Sequence, residues 1–144
     1  MRTKFLVVMV AAVLLASAGR ALAHHSFSAE FDATKTFKMT GTVTKVEWMN
    51  PHTFFYIDVA DEKTKKVTNW AMEMGSPNGL MRAGWSRNTM KIGDTVTVTG
   101  HRAKNNPLVG NASSVVLADG KKLFAGSSIE NEAPASGSAQ PPSQ

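Results

Sequence analysis

Residues 67–100 read VTNWAMEMGSPNGLMRAGWSRNTMKIGDTVTVTG, and the order of elements inside this stretch decides the fold. The segment 67–74 alternates. Trp70, Met72 and Met74 share one face, and Asn69, Ala71 and Glu73 the other, as a strand requires. Ser76 is a helix N-cap, followed by Pro77 at the first helical position. Gly84 stands where a C′ residue belongs, with apolar Trp85 after it. The helix between, Pro77 to Ala83, has barely two turns, weakened by Gly79. In residues 94–100, Val96 and Val98 point inward, and Thr95, Thr97 and Thr99 outward. A short helix thus separates two strands.

Working outward, the Thr- and Val-rich residues 39–48 predict a first strand, broken by Asn50-Pro51. Residues 53–59 predict a second, with Phe55, Ile57 and Val59 alternating against Phe54, Tyr56 and Asp58. Residues 113–117 predict a fifth strand; Asp119-Gly120 marks a turn, and Lys122 to Phe124 can pair back. Residues 24–38 are mixed and give no clear pattern. The order β-β-β-α-β-β describes an all-β domain with one short helix, a small five-stranded OB-like Greek-key barrel. Another small barrel or a meander is the competing expectation.

The ends carry different information. In residues 1–23, Arg2 and Lys4 precede an apolar run from Phe5 to Ala16, and Ala21-Leu22-Ala23 is a small-x-small cleavage site. This predicts a signal peptide and a periplasmic or secreted protein; the run is too short for a membrane span. The domain then covers 24–126. The Pro-, Ser- and Ala-rich tail 127–144 is expected to be disordered.

Composition narrows the function. The chain of 144 residues carries a formal charge of +5. Arg2, Lys4 and Arg20 leave with the signal, taking 16 basic residues to 13 against 11 acidic, a net +2. That charge gives no strong field for a polyanion, so no nucleic acid is expected as partner. With no Cys, a disulfide framework, a Cys-ligated metal, a Cys nucleophile and a thioether lipid anchor are all excluded. Paired carboxylates, a Ser elbow and a Gly-rich phosphate loop are missing too. The Asn111-Ala112-Ser113 sequon is a weak signal by itself.

The candidate metal ligands are His24, His25, His52 and His101. Cleavage after Ala23 makes His24 the first residue. Its free amine and ring can then chelate one ion, copper first and zinc second. Cleavage one residue earlier puts a His third, the arrangement of a square-planar copper or nickel site. A solvated, frayed His end is the plain alternative. His52 lies in the first connecting loop, and His101 opens the loop between the last two strands, the two loops that flank the ligand face of OB folds. On the first strand, however, His52 belongs near the end and His101 nearer the start. The arriving N-terminal segment is expected to reach His101 rather than His52. Glu73 is the acidic residue of most interest, as a base, a metal oxygen ligand or a structural acceptor. Met49, near His52, is the thioether to watch; Met72 and Met74 read as core.

The motifs HHSF, GTVTKVEWMNPHTFFYIDV, NWAMEMGSPNGLMRAGW, GDTVTVTGHRAK and LADGKKLF together resemble a family of small exported bacterial proteins known as a domain of unknown function, number 6152. The resemblance covers roughly residues 24–126. It implies a periplasmic or secreted location and a β-rich fold, and carries no activity with it. The features it implies as shared map here to His24, His25, Ser26, Asn50, Pro51, His52 and Glu73. It implies no such role for His101.

The reading is therefore a monomeric exported barrel that binds a ligand rather than an enzyme. A metal ion held by His24, His25 and His52 or His101 is the first hypothesis. The alternative is a metal-independent module for a small anion, glycan, peptide or envelope protein, with Asn50, Glu73, Arg82, Trp85, Arg87 and Arg102 contributing. A copper-dependent redox enzyme is a further rival, and needs an open metal beside a substrate-shaped surface.

Overall fold

The structure, a computed structural model, describes residues 27–126. The expected signal peptide (1–23), His24, His25 and the expected disordered tail (127–144) lie outside the described residues. Residues 27–30 are helical and lead into β1 (Phe31–Glu47). There follow β2 (Phe54–Ala60), β3 (Val67–Glu73), the helix Pro77–Arg82, β4 (Thr95–Ala103), β5 (Val109–Val116) and β6 (Lys122–Phe124).

β1 is long because it serves two partners. Its first part, Phe31 to Thr42, pairs antiparallel with β4, and its last part, Thr42 to Glu47, with β2. β2 pairs with β3 and β4 with β5, both antiparallel. A parallel pairing of β3 with β5 closes a ring of five strands, in the order expected of an OB-like fold. β6 is a short addition on β5. The first half of β1 did not show in the sequence for a local reason. Asp32 Oδ1 accepts from the Thr34 backbone N–H (3.0 Å), and the register with β4 slips between Asp32 and Thr36. That bulge spoils the alternation between the buried rings of Phe31 and Phe37.

The helix forms where the sequence places it. Ser76 Oγ accepts from Gly79 N–H, and Pro77 opens the first turn. At the other end Trp85 N–H donates to the Leu80 carbonyl (3.0 Å) and Gly84 N–H to that of Met81 (3.1 Å), a Schellman closure. The helix buries Leu80, and Trp85 follows it into the core. There they meet Val43, Phe55, Ile57, Met72, Met74, Val96, Val98 and Val115. Each such side chain is worth about 1.5–3 kcal/mol when fully buried.

Candidate functional site

The site begins at the loop between β1 and β2. Asn50–Pro51 is a cis peptide, after which Thr53 N–H donates to the Gly75 carbonyl and Met74 N–H to that of Thr53. These two bonds carry the β2–β3 ladder beyond Phe54↔Glu73. His52 therefore falls on the same face as Phe54, diagonal to Glu73. Its Nδ1 lies 3.2 Å from the Met74 carbonyl and 3.3 Å from Glu73 Oε1. With the proton on Nδ1, the ring donates to these oxygens and keeps its lone pair on Nε2.

Glu73 is on the outer face of β3, opposite Trp70 and Met72, yet its side chain is only 12% exposed. Burial pushes its carboxyl above the ordinary Glu range; the charge of nearby Glu30 pushes the same way, and His52 opposes both. The parallel ladder makes Glu73 and Asn111 Cα partners. On the other side of β5, Asn111 is the Cα partner of His101, which in turn faces Thr36 on β1. Glu73, Asn111 and His101 thus form one strip across β3, β5 and β4. Asn111 is 3% exposed, and its Oδ1 has no hydrogen-bond partner. That burial also withdraws the sequon from the surface.

The chain ahead of β1 crosses the end of this strip. Phe27 meets His101 edge-on, with ring centroids 5.9 Å apart at 89°, and packs on Phe31 at 5.5 Å. The Glu30 carbonyl accepts from Lys104 N–H (2.9 Å), and Lys104 Nζ donates to the Ser28 carbonyl. His101 Nδ1 lies 3.4 Å from Ser113 Oγ. The segment arriving at β1 therefore does reach His101, as its place on the first strand implied.

The sequence-predicted residues do not all converge. Two strand spacings, about 10 Å, separate Glu73 from His101 at the backbone. Among the described residues, no three of His, Cys, Asp and Glu are grouped closely enough to hold a metal ion. His52 and Glu73 meet; His101 stands apart with Phe27. Trp85 belongs to the core, its indole N–H donating to the Phe124 carbonyl (2.7 Å), so it does not line an exposed face. Arg102 lies over the rings of Trp70 (5.0 Å) and Phe37 (6.0 Å), away from His101. Arg82 and Asn50 are exposed, on the helix end and the β1–β2 loop respectively. Met49 is half exposed. Asn111, Ser113 and Glu30 are the additions. An amide inside a strand, between Gly110 and Ala112, is the one sequence signal that marks any of them.

Fold and site together define a small β-ring protein with a polar strip of His, Glu and Asn on its outer face. The chain belongs to the family of unknown function DUF6152, whose family model matches residues 11–112. No curated protein matches the sequence.

Proposed function

We propose that this is a small exported binding protein of the periplasm or cell exterior, holding one copper ion, with zinc the second choice. The ligands are the His24 amine and ring, His25, and His101 as the further imidazole. The edge-on contact of Phe27 with His101 carries this reading. His24 and His25 stand three and two residues ahead of Phe27 in the sequence. Imidazole and amine nitrogens suit copper and zinc. His52 is less suited as the further ligand, since it sits with Glu73 at the other end of the strip, away from the Phe27–His101 contact. Of the metal-independent alternative's residues, Trp85 is buried and Arg102 is stacked on aromatic rings.

The test is the native mass of the naturally exported protein, with and without stoichiometric Cu(II). The expected species starts at His24 and retains one copper. His101→Ala should weaken retention about tenfold or more, and His24→Ala with His25→Ala should abolish it. Undiminished copper affinity in that double variant overturns the reading.

A further inference from the structure

The other end of the polar strip is chemically different from the His24–His101 end. Glu73 offers two carboxylate oxygens, largely buried, and His52 Nδ1 touches one of them at 3.3 Å. The Met74 carbonyl shares that same ring nitrogen at 3.2 Å. Asn111, Cα partner of Glu73 on the same sheet face, adds an amide oxygen that is buried and unpartnered. His52 Nδ1 thus serves both Glu73 Oε1 and the Met74 carbonyl, while Asn111 Oδ1 has no donor. Buried acceptors are almost always satisfied in native proteins, and an orphan invites an occupant that supplies positive charge or protons. The Glu30 charge also bears on Glu73, adding to the negative potential there.

We infer that Glu73 and Asn111, with the Met74 carbonyl, form a site for a small divalent cation of the hard, oxygen-seeking class, entered from the partly exposed His52 side. Carboxylate, amide and backbone carbonyl oxygens are the ligand set that Ca²⁺ and Mn²⁺ take, whereas copper prefers the nitrogens at the other end. The near-complete cover over Asn111 and Glu73 suits a bare ion better than an organic ammonium, whose substituent would need room. The site does not depend on the copper reading, because it uses none of His24, His25 or His101.

Mn²⁺ is the probe for the exported full-length chain, read by paramagnetic broadening of backbone amide resonances. The expected result is saturable broadening centred on Glu73, Asn111 and His52, competed by Ca²⁺. It should weaken about tenfold or more in Glu73→Gln and persist in the variant with His24→Ala and His25→Ala. Asn111→Asp, which adds an anionic oxygen at the same place, should tighten it. Broadening centred instead on His101, broadening unchanged in a folded Glu73→Gln, or no saturable broadening at millimolar Mn²⁺ would overturn the site. Copper retention by the same variants is read separately, so each proposal fails on its own observation.

Discussion

Glu73 on β3 and Asn111 on β5 are Cα partners across the parallel pairing that closes the ring. The closure that completes the fold therefore also sets a largely buried carboxylate beside a buried amide with an unpartnered oxygen.

That environment makes stability depend on pH. Burial, and then Glu30, raise the Glu73 carboxyl above its ordinary value, against the pull of His52. The folded state then holds a proton more tightly than the unfolded state. The associated stability is present at pH below the ordinary Glu range and is lost as pH rises through the raised value. Glu73→Gln keeps the shape and cannot ionise, so it should flatten this slope and melt higher than the parent at neutral pH. His52→Ala removes the opposing attraction and should steepen the slope. Thermal melts of the three proteins across the acid-to-neutral range, without divalent cations, check both signs.

Thr53 provides a second test of polar accounting. Its backbone bonds to Gly75 and Met74 anchor the His52 loop, while its fully buried Oγ1 has no partner. Thr53→Val keeps the shape and removes the orphan hydroxyl. It should stabilise the protein by about 1 kcal/mol, read from denaturant midpoints at unchanged slope. A loss of stability would mean that the hydroxyl is satisfied in solution.

What the sequence disclosed was local. The helix was legible because its signals, Ser76, Pro77, Gly84 and Trp85, act within a turn of the residues they cap. The inward sets Phe55–Ile57 and Val96–Val98 were legible because a half-buried strand alternates. The first half of β1 was hidden by the bulge between Asp32 and Thr36. Trp85 read as a face residue, but its partner, the Phe124 carbonyl, is 39 residues away. Glu73 drew notice for its place beside the capping motif, and its outward face followed from alternation. Its contact with His52 depends on a ladder continued past Phe54, and its place beside Asn111 on a parallel pairing. Neither long-range relation leaves a local mark. The separation of His52 from His101, by contrast, followed from strand order alone.

The Trp85 indole bond pins β6 to the helix end. Trp85→Phe leaves the Phe124 carbonyl without this donor and removes ring volume from the core. The expected cost is about 2 kcal/mol, combining the lost hydrogen bond with incomplete filling. Amide exchange should quicken first in 117–124, where β6 is three residues long. Copper retention should not change, since Trp85 lies in the core and supplies no ligand.

The strip itself rests on Gly100. The β4–β5 register slips between Thr99 and Gly100, and the Asn111 backbone crosses so closely that a Cβ on Gly100 would clash with the Asn111 carbonyl oxygen and sit 2.9 Å from its carbon. Both neighbours are backbone, so no side chain can swing aside. Gly100→Ala must part β4 from β5 at the pair His101↔Asn111. A loss of at least about 3 kcal/mol is expected, larger than ordinary overpacking because the obstacle is rigid. Gly120 is the control: its φ is +84, but nothing lies within 4 Å of an added Cβ. Gly120→Ala pays only the left-handed backbone cost, about 1–2 kcal/mol. If Gly100→Ala retains more stability than Gly120→Ala in matched denaturant unfolding, the bulge does not hold Asn111 against His101 as described.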